Sequence, residues 1–436
     1  MKKFGLLAFS ILIVLSVLSL FLKGSSIPGD TSAISAGDTA WLLTATGLVL
    51  LMTPGLSFFY GGMVQSKNVI STMFQSFIAM GIISILWVVV GFSLSFGESF
   101  HGIIGNPFTF LFFKNVGVTP NPAFAPTIPF LLFAMFQLKF AIITPALITG
   151  SFAERVSFKA YLLFMVLFSL FIYAPLAHMT WHPDGILRQM GVLDFAGGTV
   201  VHMSAGYAAL AGALILGRRK IHIENQKHEP ANIPYVLLGT GLIWFGWFGF
   251  NAGSSLAASG QAVLAFSTTN TASAAAALAW IFFDAMMGRK PSALGACIGA
   301  VVGLVAITPA AGFVTVGESL FIGTIASVIS NIAVSLKSKT TLDDTLDVFP
   351  CHGIGGITGM IATGIFAQQS GLIYGTSTTF LNHLIALVIV SVFAFFGSAL
   401  LYYLTNLITP LRVNKEMEEE GLDISQHGES INQFAD

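Results

Sequence analysis

The chain has 436 residues, 55% of them hydrophobic and only 9% charged, with a formal net charge of -1. A soluble domain carries about 25% charged residues, so a water-facing shell is excluded and the chain reads as an integral membrane protein. The near-neutral balance argues against a nucleic-acid partner. Cys297 and Cys351, the two cysteines, fall in no CxxC pair and at no metal-ligand spacing, which argues against a disulfide framework or a zinc site; no cofactor is expected.

Residues 1–36 open with "MKKFGLLAFSILIVLSVLSLFLKGSS". Two lysines, a long apolar run and small residues read as a secretory signal peptide; because the run is longer than usual, an extra N-terminal helix is the other reading. Cleavage is expected between Ser25 and Ala36.

Residues 38–411 form the membrane domain. Apolar segments long enough to cross about 30 Å of hydrocarbon as helices recur eleven times, over 40–63, 69–96, 126–150, 158–179, 196–217, 233–252, 262–287, 293–310, 314–336, 352–368 and 381–411. Basic residues alternate between the connecting loops. Lys67, Arg155, Lys159, the Arg218 to Lys227 group, Arg289, Lys290, Lys337, Lys339, Arg412 and Lys415 fall on one side, against Lys114 and Arg188 on the other. The positive-inside rule therefore predicts that the mature N-terminus is outside and the tail, residues 412–436, cytoplasmic; the expected location of this multi-pass protein is the cell (inner) membrane.

"AIITPAL" (141–147) in the third span recurs as "VAITPAA" (305–311) in the eighth. Five helices separate the copies, an odd number, so the expected architecture is an all-α, five-plus-five inverted repeat. That scheme pairs the fifth span with the tenth, and hence His202 in "DFAGGTVVHMSAG" with His352 in "DVFPCHGIGGITG". Imidazole donates on one nitrogen and accepts on the other and handles protons near neutrality. Two such rings near the midplane predict a polar relay along a substrate pathway. No HExxH motif, GxSxG elbow or aspartate dyad is present, so an enzyme is not expected, and no other sequence feature supports a bis-histidine haem.

Aromatic residues suggest the substrate. Phe136 and Phe140 lie four apart in "FAMFQLKFA", Phe250 and Ser254 four apart in "WFGWFGFNAGS", and Trp181 falls on the expected outer face in "MTWHPDG". Ring faces attract a small cation and a serine oxygen can accept its hydrogen bond. Asp194 opens the fifth span, where a carboxylate suits a helix N-terminus.

Together with "FFYGGMVQSKN", "AERVSF", "KPSALGACIGA" and the tail "LRVNKEMEEEGLDISQHGE", these motifs resemble the Amt/Rh ammonium transporter family in order from about residue 38 to 430. The resemblance implies a homotrimer with one pore per subunit. It implies an outer ammonium site at Phe136, Phe140, Trp181 and Ser254, a phenyl gate of Phe140 and Phe250, and pore-lining His202 and His352, with Asp194 in a structural and electrostatic role. It further implies deprotonation of ammonium, passage of ammonia with separate proton transfer, methylammonium as an analogue, and a PII-type signal protein docking at the tail; the sequence leaves electrogenic and neutral transport both open, with net movement of one charge per ammonium the favoured reading. The alternative is an ammonium sensor of the same fold, which the short tail after the last span disfavours. One residue departs from the family pattern. Lys139 beside the gate residue should point about 100° away from the pore, and an ion pair with Asp284 is the expected partner arrangement.

Overall fold

The computed structural model describes residues 2–22 and 29–431. The first helix, Lys2–Phe21, is exposed along its described side chains except the half-buried Leu15; Ser25 and Ser26, where the expected cleavage stretch begins, lie outside the described residues.

All eleven expected spans are helical: Ala36–Met63, Ser66–Phe96, Phe130–Ser151, a helix over 158–181, Gly198–Leu216, Ile233–Gly253, Gly260–Met286, Ala293–Ile307, Val316–Lys337, Phe349–Phe366 and Ser377–Ile408. The third begins at Phe130 rather than 126 because Pro129 occupies its N-cap, where a missing N–H costs nothing. Starts elsewhere are set by side-chain caps. Ser35, Asn232, Ser259 and Ser292 each accept a hydrogen bond from a first-turn N–H, and Thr315 with Glu318 forms a capping box.

Glycines bring the helices into close contact, as expected for packing in lipid. A side chain at Gly246 or Gly249 of the sixth span would run into Leu48 O or Ala45 O of the first, and one at Gly299 of the eighth into Ala276 O of the seventh. At the centre, the backbones of Gly206 and Gly353 touch, so the fifth and tenth spans cross there. Phe77, Phe245, Phe282 and Phe396 are each more than half exposed, an apolar exterior suited to hydrocarbon and not to water.

Both crossing spans begin with a π-helical turn, Gly198–Met203 and Phe349–Ile354. Such turns widen the helix and commonly mark functional sites. Their equivalent positions are the clearest trace of the inverted repeat.

Candidate functional site

Each π turn is held by an aspartate. Asp194 Oδ1 accepts from the N–H groups of Gly197 and Gly198 at 2.7 Å each, and Oδ2 from Thr199 N at 2.7 Å and the Thr199 hydroxyl at 2.5 Å. Gly197 has φ +122, a conformation that favours glycine, so the chain can turn sharply into the helix. Asp344 does the same for the tenth span, accepting from Val348 N at 3.1 Å and Phe349 N at 2.8 Å.

Eight residues beyond each aspartate stands a histidine. His202 Nδ1 and His352 Nδ1 are 3.3 Å apart, both rings buried. One nitrogen must donate and the other accept, so the pair shares a single proton between the two inward nitrogens. Trp247 lies parallel to His202 at 5.3 Å and 18°, and its own Nε1 donates to Thr308 Oγ1 at 2.9 Å. The imidazole plane is thereby fixed. His202 Nε2 is buried and has no hydrogen-bond partner among the described residues.

The two imidazoles and Trp247 line a narrow channel whose remaining wall is apolar, including Leu56, Ile143, Leu147, Ile243 and Val301. A second small cavity shares His352, Phe59 and Val301 with it and is lined further by Tyr60, Leu346 and Cys351, on the side of the tail.

A wider vestibule lies at the opposite end, and Phe140, Trp181, Asp194 and Ser254 line it. Phe140 belongs to the vestibule wall and Phe250 to the channel wall; their rings, 4.3 Å apart and tilted by 43°, form the partition. Trp181 meets Phe140 edge-on at 5.8 Å and donates from Nε1 to Asp194 O at 3.2 Å. Ser254 donates to Phe250 O at 2.9 Å, leaving its oxygen lone pairs for a guest. Phe136 is placed differently from the other members of the set. It is fully buried, packs against Phe140 at 5.0 Å and faces Gly253, behind the vestibule wall and not in it.

Several site residues were not anticipated. Gln137, Phe96, Phe124 and Phe133 line the vestibule, and Trp247 and Asp344 organise the channel. Asp344 was legible in principle, since it precedes His352 by the same eight residues that separate Asp194 from His202. Trp247 precedes Phe250 by three, on the same helix face.

The expected Lys139–Asp284 pair does not form. Asp284 is bound by Arg289, Nε at 2.8 Å and Nη2 at 2.6 Å, and by Asn331 Nδ2 at 3.0 Å. Arg289 follows five residues later at the same helix end, so a local guanidinium takes the carboxylate. Lys139 is buried, and no salt bridge to it occurs among the described residues.

The tail folds back onto its end of the bundle. Asp423 accepts from Ile70 N and Ser71 N at 3.0 and 2.7 Å, capping the second span. Lys67 donates to the carbonyls of Glu418 and Glu419, and Lys220 pairs with Glu419 at 2.6 Å. Beside it, Arg219 bridges Asp343 and Glu154 at 2.8 and 2.6 Å, all three buried. Burial alone would push the Asp343 carboxyl up, but the Arg219 hydrogen bonds and nearby guanidinium charges hold it below the usual carboxylate range.

A family model described as Ammonium Transporter Family matches residues 40–431. The chain is 47% identical to an ammonium transporter of Bacillus subtilis over 91% of this chain and 98% of that one, and 45% identical to one of Aquifex aeolicus over 96% and 97%. Among solved structures, Saccharomyces cerevisiae Mep2 superposes with a TM-score of 0.82 at 32% identity, covering 88% of this chain and 89% of the other. A protein named Sensor Amt Protein does so with 0.83 at 30%, covering 90% and 98%. On sequence and fold alike, the chain belongs to the ammonium transporter family.

Proposed function

We propose that this protein is an ammonium transporter of the inner membrane that recruits ammonium in the vestibule, takes a proton from it near the Phe140–Phe250 partition, and conducts ammonia past His202 and His352. The proton follows separately, so one charge moves per ammonium. The vestibule faces outward and the tail the cytoplasm. The functional unit is a homotrimer, each subunit with its own pore, and the tail is the docking surface for a PII-type protein.

One observation carries the reading: a hydrogen-bonded histidine pair stands in an otherwise apolar channel, behind two phenyl rings whose centroids are 4.3 Å apart. A hydrated cation has no room between those rings, and a bare one gains too little from apolar walls to offset its lost hydration. Ammonium escapes this penalty by losing a proton, whereas potassium cannot. Ammonia then needs neutral polar contacts, and His202 Nε2, buried without a partner, is such a contact. Above the rings, Trp181, Phe140 and Ser254 offer cation-π and hydrogen-bond contacts to the charged form.

Charge movement after an ammonium jump in proteoliposomes tests this. An ammonium-evoked current with no potassium-evoked current is expected, and its absence would sink the proposal. Similarity to the protein named Sensor Amt Protein keeps a second reading, an ammonium sensor signalling through a cytosolic partner. On that reading ammonium binds without evoking current.

A further inference from the structure

We propose that Gln137 supplies a second hydrogen-bond acceptor to the cation in the vestibule, beside Ser254, and so sets the preference of the site for ammonium over its alkylated forms. This rests on the reading of the vestibule as the recruitment site.

Counting acceptors leads there. Ammonium has four N–H donors. The rings of Phe140 and Trp181 can receive some of them, but a cation stripped of water needs oxygen atoms for the rest. The Asp194 carboxylate supplies none, because the four hydrogen bonds from Gly197, Gly198 and Thr199 occupy its acceptor sites. Ser254 supplies one oxygen, its proton being spent on Phe250 O. Gln261 sits exposed at the rim, with its amide nitrogen on Gly312 O.

Among the described lining residues, Gln137 is the remaining side-chain acceptor. It lines the vestibule three residues before Phe140, on the same helix face, and its Oε1 is buried with no hydrogen-bond partner among the described residues. A buried amide oxygen left unpaired is costly, and a charged donor satisfies it more strongly than a neutral one. No protein group holds the Gln137 oxygen in place, so the amide can rotate about its last torsion to present that oxygen to a guest. Methylammonium carries one N–H fewer, and its methyl group can take the position facing an aromatic ring. Loss of one acceptor therefore weakens ammonium binding more than methylammonium binding.

The test compares wild type, Gln137→Leu and Gln137→Glu in proteoliposomes, with ammonium and methylammonium each titrated against charge movement. Gln137→Leu should raise the half-saturating ammonium concentration by about tenfold and raise that for methylammonium less. Gln137→Glu should lower both half-saturating concentrations. A Leu variant with the wild-type half-saturation and preference overturns the assignment. If the Leu variant does not assemble, a Glu variant with wild-type half-saturation overturns it equally. A wild-type protein that gives no ammonium current overturns the functional reading itself and this inference with it, so the two failures are distinguishable.

Discussion

Asp194 and Asp344 are capping residues of the same kind, one in each half of the repeat, separated by the same 150 residues as His202 and His352. Each accepts backbone N–H groups at the start of a π turn, and each thereby fixes the direction in which the histidine eight residues later projects. The caps are unequal, since Asp194 accepts four hydrogen bonds and Asp344 two from the N–H groups of its turn. Replacing either by asparagine substitutes a donor for one acceptor oxygen and sets it against N–H groups. Asp194→Asn should cost about 2 kcal/mol or more, and Asp344→Asn less. Thermal unfolding in detergent checks the order, and equal shifts would show that hydrogen-bond number does not decide it.

The histidine pair is a single unit, and its mutants should behave as one. His352→Ala removes the Nδ1 partner of His202 and leaves an imidazole with neither nitrogen bonded by protein, still stacked on Trp247. His202→Ala removes the same bond from the other side. Each single variant should lose at least tenfold in ammonium current or in discrimination against potassium, and the double variant should lose little more than the worse single one. Residues in one network are non-additive in this way. Full additivity of the two losses would mean that the rings act independently.

The eleven spans were legible because bilayer thickness imposes a length on apolar runs, and the repeat because a short segment recurred at an odd helix spacing. Together these place His202 and His352 in equivalent spans. The aspartate caps are local, reaching three to five residues along the chain, but the widening of both helices into π turns was not legible, since no residue pattern in the two segments distinguishes a π turn from an α turn. Phe136 has the right spacing from Phe140, yet its ring packs behind the vestibule wall; spacing fixes a face of the helix, while Gly253 on the sixth span decides which ring that face buries. "EMEEEGLD" reads as a solvated acidic end, and only its contacts with Lys67, Lys220 and the start of the second span show it folded against the bundle.

Lys139 stands in a membrane span without the Asp284 carboxylate, which Arg289 holds. The residue is buried, and no carboxylate among the described residues pairs with its ammonium. Burying an unpaired charge is unfavourable, and an apolar side chain of similar length removes the penalty. Lys139→Met should assemble, conduct as wild type, and unfold at an equal or higher temperature. By contrast Arg289→Met should destabilise the seventh and ninth spans, because Asp284 and Asn331 lose their guanidinium. A strongly destabilised Lys139→Met protein would mean that the lysine has a partner formed only on assembly.

The Arg219 cluster at the tail end predicts a pH dependence. Arg219 reaches Asp343 Oδ2 through Nε at 2.9 Å and Oδ1 through Nη2 at 2.8 Å, while Nη1 holds Glu154 at 2.6 Å. Burial alone would raise the Asp343 carboxyl, but these bonds hold it below its ordinary value, so folding favours the ionised form. Stability from this contact is therefore present above the unfolded carboxylate value near 4 and is lost as pH falls through the lower folded value. Arg219→Met strands buried carboxylates, costing roughly 3 to 5 kcal/mol near neutrality. Protonation then relieves that cost, so the gap in unfolding temperature between wild type and variant should narrow as pH is lowered from 7 towards 4. Arg219→Lys should recover only part of the loss, because one ammonium cannot span both Asp343 oxygens and Glu154 at once. A gap constant over this range would mean that the guanidinium acts by packing and not by charge.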